Sequence, residues 1–270
     1  MFFALFDLSF IKEVLKVSKK GRVATLSSSL AYYMMFALFP TLVMIFALAD
    51  PFVSFWGVGD KIYSILPDEF NNLFNIARTR TATVTFTSGV FISLFSFIKF
   101  VRSLKNHLCE IYGTRDRFSY FASWIFSGIM ALYALAMLYL ALFVVMYGEQ
   151  LIRTLAKVFG LEPLFNLLRD KLVPVTAVFL AGAFILLVYM FLSGEKRKMR
   201  EVLPGTVFTL SGWIISTLLF SLYVEIFSRK TVLYGPLGTV TVLMMWLYIL
   251  AFILLTGANI NLVFSRKGTW

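Results

Sequence analysis

Apolar residues fall in six long blocks, 24–48, 82–98, 119–147, 172–193, 202–224 and 231–264, and none of them holds Asp, Glu, Lys or Arg. A helix of roughly 20 apolar residues crosses the hydrocarbon of a bilayer. The pattern therefore predicts an all-α, polytopic membrane protein with six transmembrane helices. The last block contains Pro236, and its helix is expected to start there, because proline is tolerated in a first turn. The second block is the shortest and the richest in hydroxyls, and its start, 81–87, alternates like a strand. An isolated strand leaves its backbone unsatisfied in lipid, so a helix is expected there too.

The segments between the blocks are patterned as well. Phe3, Phe6, Phe10, Val14 and Val17 recur at spacings of three and four, with Lys12, Lys16, Lys19 and Lys20 gathered behind them. This predicts an amphipathic interfacial helix on the inner leaflet over 1–22, the alternative being a disordered tail. It does not read as a cleavable signal, since a basic leading region is missing and Asp7 interrupts the apolar run. Pro67-Asp68-Glu69 resembles a helix start, followed by Phe70, Leu73 and Phe74. Two further short amphipathic helices are expected on the outer face. One carries Leu151, Ile152, Leu155, Val158 and Phe159, the other Leu164, Leu167 and Leu168, with a break at Gly160 and Pro163. Floating at the headgroups is preferred for them over capping a cavity. The division expected is 1–22, a six-helix domain over 23–265, and a cytoplasmic tail over 266–270.

Composition narrows the class. The 270 residues are 60% hydrophobic and 14% charged, with 30 Phe and a mean hydropathy of +0.84. A soluble domain averages about 45–50% apolar and about 25% charged residues, so a soluble enzyme is excluded, and so is a disordered chain. One Cys and one His rule out a disulfide framework and a zinc site built from Cys and His within one chain. The net charge is +11, and its placement follows the rule that Lys and Arg collect on the cytoplasmic side. With the N-terminus inside, sixteen basic and six acidic residues face the cytoplasm, against nine and eight outside. Both termini are then cytoplasmic. The basic excess is accounted for by topology and by membrane lipids with anionic headgroups at that face, and it does not signal nucleic acid.

Candidate chemistry is sparse. The lone histidine, His107, neighbours Cys109 and Glu110, but a helix would splay these side chains apart, so no metal site is expected. Ser27, Ser28 and Ser29 lack a second histidine as base and read as helix-packing contacts. No phosphate-cradling glycine loop is present, and no catalytic residue or cofactor is assigned. The ionisable residue nearest the membrane interior is Glu225, towards the outer end of the fifth block with Arg229 a turn on; an interfacial ion pair is the plainer reading. Neutral polar residues are more plentiful: Tyr32, Tyr33, Thr206, Thr209, Ser216, Thr217, Asn259 and Asn261. Phe39-Pro40-Thr41 interrupts the first block, where a proline frees a carbonyl and kinks the helix. Tyr234-Gly235-Pro236-Leu237-Gly238 opens the last, with freed amides that either meet an anionic group or form a tight turn. Tyr32, Tyr33, Pro40, Thr209, Glu225, Tyr234, Gly235, Gly238, Asn259 and Asn261 are therefore the candidate substrate-pathway residues.

The same breaks carry a resemblance. Leu30-Ala31-Tyr32-Tyr33 with Phe36 and Leu38-Phe39-Pro40 resembles the opening signature of the YihY/BrkB family of bacterial inner-membrane proteins. Pro204-Gly205, Phe220-Ser221-Leu222-Tyr223, Tyr234-Gly235, Leu237-Gly238, Trp246-Leu247-Tyr248, and Gly257-Ala258 with Asn261 resemble its C-terminal half in order. The likeness covers roughly 20–265 and implies six helices and a multi-pass inner-membrane location. One departure is Asn259, where the family pattern usually has Glu; a charge-dependent role of that acid is absent here or passes to Glu225. The family's ribonuclease BN and virulence-factor labels name no chemistry these residues perform. The reading favoured is a non-enzymatic transporter or flippase-like handler of an amphiphilic, lipid-like substrate. A scaffold recruiting partners through a basic cytoplasmic rim is the alternative, and tRNA processing a disfavoured third.

Overall fold

The computed structural model describes residues 8–38, 82–114, 119–158, 162–228 and 235–267. All regular structure among these residues is helical. The helices are α1 (Leu8–Lys20), α2 (Val23–Leu38), α3 (Ala82–Tyr112), α4 (Tyr120–Val158), α5 (Glu162–Phe191), α6 (Met199–Ser228) and α7 (Gly235–Lys267). Pro40, Tyr234, Arg229 and the 67–74 segment lie outside the described residues.

Among the described residues three helical stretches are long and apolar enough to cross a membrane, Tyr120–Leu138, Met199–Glu225 and Val240–Arg266, and Val23–Leu38 and Val175–Phe191 are shorter apolar helices. The alternating start of the second block is helical from Ala82 onward. The last block begins its helix at Gly235, placing Pro236 in the first turn. The helices are longer than the blocks. At about 1.5 Å per residue, the 31 residues of α3 reach roughly 46 Å and the 39 of α4 roughly 58 Å, against about 30 Å of hydrocarbon. The expected short helix at 151–159 is accordingly the continuation of α4 to Val158, and 164–168 is the opening of α5. No proline lies within α4, so its hydrogen-bond ladder continues past the apolar run.

Consecutive helices pack on one another from α3 to α7, and α7 also reaches α3 and α1. The core gathers Leu108, Ile185, Tyr189, Val202 and Leu255 from α3, α5, α6 and α7. Ile125, Ile129 and Leu132 of α4 and Ile215, Leu218, Leu219 and Leu222 of α6 stay exposed, as a lipid-facing surface requires. On α1, Phe10 and Val14 are covered by Ile260 and Val263 of α7, so much of its apolar stripe meets protein rather than the inner leaflet. α1 ends at a tight turn in which Arg22 takes φ 49°, and α2 follows at once.

The tightest crossing joins α6 to α7. A Cβ added at Gly205 would run into the carbonyl oxygen of Gly257, and one at Gly257 would meet the hydroxyls of Thr209 and Tyr189. Close approach of small residues is how helices associate where lipid supplies no hydrophobic drive between them. We expect Gly257→Ala to destabilise the protein by about 1–3 kcal/mol, as overpacking does. Gly128→Ala, where the added methyl meets only Ile98 at 3.9 Å, is the control and should leave the melting temperature in detergent unchanged or raised. Equal melting temperatures for both variants would contradict this account of the crossing.

Candidate functional site

Two polar regions stand out against the apolar helices. The first is a neutral knot where α5, α6 and α7 meet. The Tyr189 hydroxyl lies 2.6 Å from the Leu254 carbonyl and 2.7 Å from Thr209 Oγ1. A phenol has one proton, and the carbonyl can only accept it, so the Thr209 hydroxyl donates to the Tyr189 oxygen. One turn away, the Gly205 N–H donates to Asn261 Oδ1 at 2.6 Å. That donor fixes which amide atom of Asn261 is the oxygen. Pro204 sits inside α6 directly before Gly205 and crowds the preceding turn there. Asn259 Nδ2 donates to the Leu255 carbonyl at 3.4 Å and to Ser18 Oγ of α1 at 3.3 Å. Thr209, Asn259 and Asn261 are all fully buried.

Several buried polar atoms close no hydrogen bond: Asn259 Oδ1, Asn261 Nδ2 and the Tyr112 hydroxyl about the knot, and Thr256 Oγ1 elsewhere on α7. Tyr112 stands near the Asn261 amide, without a bond of good geometry between them, and the Arg197 guanidinium lies 4.2 Å over its ring. Burial pushes the Tyr112 hydroxyl up to about 12, while the Asn261 amide and the Arg197 charge pull the other way. Arg197 also pairs loosely with Glu201, at 4.0 Å on a partly exposed surface, a contact of little value. Gly194 closes the turn after α5 with φ 79°, and a Cβ there would meet Thr114 Oγ1 at 2.6 Å and Cys109 Sγ at 3.0 Å.

The second region is a polar groove of about 350 Å³ between α2, α3 and α4, lined by Ser29, Tyr33, Lys99, Arg102, Ser103, Asn106, His107 and Trp124. Lys99, Arg102, Ser103 and Asn106 follow the spacing of three and four that places them on one face of α3. Phe100, Val101 and Leu104 lie on another face and line an apolar cavity of about 200 Å³ against α4 and α5. The Arg102 guanidinium rests 4.3 Å from the Trp124 ring and 4.7 Å from that of Tyr120, and Lys99 Nζ lies 4.5 Å over Phe95. Ser103 Oγ and His107 Nε2 are 3.2 Å apart. Burial lowers the His107 pKa below 6.5, with Glu110 opposing, so the imidazole is neutral at pH 7.

The residues singled out from sequence are dispersed. Tyr33 enters the groove, while Tyr32 is exposed beside Tyr33 and Phe36. Thr209, Asn259 and Asn261 belong to the knot. Gly235 and Gly238 open α7, and Glu225 is exposed near the opposite end of α6 from Arg197. His107, Cys109 and Glu110 do not converge: His107 faces the groove, Cys109 Sγ points at the Leu192 carbonyl 3.9 Å away, and Glu110 is exposed. Among the described residues no group of three His, Cys, Asp or Glu could hold a metal ion. Sequence reasoning missed Tyr189, whose hydroxyl is one polar atom in an apolar run. It also counted Lys99 and Arg102 only as charges, although their spacing with Ser103 and Asn106 marks a face.

Long apolar helices with neutral polar contacts between them define a helical membrane protein. The sequence model of the family described as virulence factor BrkB matches residues 14–269, and the chain belongs to that family. The ribonuclease-like protein YfkH of Bacillus subtilis is 24% identical over 269 residues, covering 96% of each chain. A UPF0761 membrane protein of Pseudomonas aeruginosa is 24% identical over 260 residues, 90% of this chain and 60% of the relative, so here the chain spans well under two thirds of the relative's length. No solved structure matches.

The lowered His107 pKa sets a sign for pH dependence. Between that value and 6.5 the unfolded chain binds more protons than the native one, so stability falls as pH drops through this window. Melting temperatures followed from pH 7.5 down to about 5 should therefore fall less steeply for His107→Gln than for the native protein. Parallel curves would contradict the burial of a neutral imidazole.

Proposed function

We propose that this protein is a six-span protein of the bacterial inner membrane, with both termini cytoplasmic, that binds and moves an amphiphilic, lipid-like substrate without covalent chemistry. The observation that carries the reading is the neutral knot. Polar groups buried between apolar helices normally find partners. Here the amide atoms Asn259 Oδ1 and Asn261 Nδ2 keep unspent hydrogen-bonding capacity, as does the Thr256 hydroxyl on another side of α7. A polar headgroup passing between the helices would use that capacity, and the uncharged groups Tyr189, Thr209, Asn259 and Asn261 suit an amphiphile better than a small ion. Tyr32, Pro40, Glu225, Tyr234, Gly235 and Gly238 complete the proposed pathway, and the reading requires no cofactor.

A scaffold role is the second reading. It is favoured by the exposed Lys196 and Lys198 in the α5–α6 connection and the exposed Arg200 in the first turn of α6, a basic surface fit for partners or anionic lipid. The ribonuclease-like name of the Bacillus relative is not carried over, because His107 has only the exposed Glu110 beside it and, among the described residues, no group of three His, Cys, Asp or Glu could hold a metal ion. RNA incubated with purified protein and a divalent metal should be cleaved no differently by the native protein and by a His107→Gln, Glu110→Gln variant.

Reconstituted into liposomes, the protein should accelerate exchange of a fluorescent phospholipid or a lipopolysaccharide precursor between leaflets. Thr256→Val removes an orphaned hydroxyl, so it should leave the melting temperature unchanged or raise it while slowing exchange several-fold. Rates equal to empty vesicles across both lipid classes would remove the reading. A fluorescent protein fused after residue 267 should fold in the cytoplasm, and a periplasmic phosphatase reporter inserted at 229–234 should be active; the reverse pattern would overturn the topology.

A further inference from the structure

We infer that the groove between α2, α3 and α4 is a binding site for a phosphate-bearing anion, presented by a membrane lipid whose acyl chains lie along the apolar flank of α3 and α4. The site has a volume of about 350 Å³, and among the described residues no acidic one lines it. Lys99 and Arg102 therefore place two like charges in one concavity, an arrangement that an anion relieves. Among the described residues neither has a carboxylate partner.

Arg102 is prepared for such a ligand. Its guanidinium is held against the rings of Trp124 and Tyr120, at 4.3 and 4.7 Å, which fixes its plane. Its Nη1 is buried and donates to nothing. A planar, positioned fork with an unspent donor is what bidentate recognition of phosphate uses. Ser103, bonded to His107, lies one helical position away and contributes hydroxyl chemistry to the same wall.

The flank argues for a lipid over a soluble phosphate. Phe95 lies under Lys99 and stacks on Trp124 at 6.3 Å between centroids. One turn further from the cations on α3 Phe91 is 67% exposed, and next to Trp124 on α4 Ile125 is 53% exposed. Cations bordered by aromatic and aliphatic side chains match the junction of headgroup and acyl chain. A free phosphate would gain nothing from that surface.

The inference stands apart from the transport reading, because it is tested by binding alone. Purified full-length protein in neutral detergent is titrated with short-chain phosphatidylglycerol, short-chain phosphatidylcholine and inorganic phosphate, each read by calorimetry. Phosphatidylglycerol should saturate one site. Arg102→Gln and Lys99→Gln should each weaken it about tenfold, as loss of a charge-assisted contact does. Lys196→Gln with Lys198→Gln, on the exposed connection, should change it less than about twofold. An unchanged affinity in the groove variants, or an equal loss in the connection variant, overturns the site. Inorganic phosphate binding as tightly as phosphatidylglycerol overturns the lipid assignment, and equal binding of phosphatidylcholine overturns the requirement for net negative charge. Lys99 is not wedged between two rings, so Lys99→Gln decides the matter even if Arg102→Gln fails to fold.

Discussion

Where Gly205 faces Gly257 the backbones of α6 and α7 come into contact, and the placement of the polar groups follows from that approach. With side chains removed from the crossing, the Gly205 N–H reaches Asn261, and the Tyr189 hydroxyl reaches both Thr209 and a carbonyl of α7. Between helices in lipid, each such bond contributes modestly, on average about 0.6 kcal/mol. The crossing is therefore not held by hydrogen bonds alone. Close packing along two long helices brings the polar groups together, and the bonds then select one register, because sliding α7 would strand the same groups without partners at a larger cost.

Charge is arranged by the complementary rule. The apolar stretches of α4, α6 and α7 exclude it, and the cationic side chains of α3 gather beyond its apolar start. Arg102 is half-buried against Trp124 and Tyr120, and the exposed Lys99 keeps its Nζ over Phe95, so their charge is held at a defined wall of the groove. A cation held over an aromatic face keeps its attraction for an anion while losing conformational freedom, which lowers the entropy a ligand must overcome. The length of α3 makes this possible, since its 31 residues outreach about 30 Å of hydrocarbon and those of them that line the groove all lie on its second half.

Much of the helical pattern was legible in the sequence because lipid imposes one rule on every span: apolar throughout, with backbone bonds closed within the helix. That rule located α4, α6 and α7, and proline chemistry located the start of α7 at Gly235. It did not locate helix ends, because nothing in apolarity tells a helix to stop where the membrane does; α4 runs on to Val158 for want of a breaker. Periodicity showed that α1 has an apolar face, but not that Ile260 and Val263 would cover part of it. The knot was half legible. Thr209, Asn259 and Asn261 are conspicuous as polar letters in apolar text, whereas Tyr189 passes as an aromatic and the groove residues pass as topology charges. Their meaning depends on which helices are neighbours, which a single sequence does not state.

Asn259 illustrates how one position joins these levels. Its amide nitrogen donates to the Leu255 carbonyl within α7 and to Ser18 on α1, so the same side chain ties the amphipathic helix to the membrane domain beside the apolar contact of Phe10 and Val14 with Ile260 and Val263. An ionised glutamate here would have no donor, so it could not bond the Leu255 carbonyl and could only accept from a Ser18 hydroxyl turned to donate. It would also bury a charge at a site that is only 1% exposed. The amide thus fits a docked α1, and an acid at the same position would need a cation where this chain offers Ser18. The amide suits a knot whose polar contacts are made by neutral dipoles, while the cations stand on α3, at the groove and at the buried Lys105, which donates to Ser123 of α4.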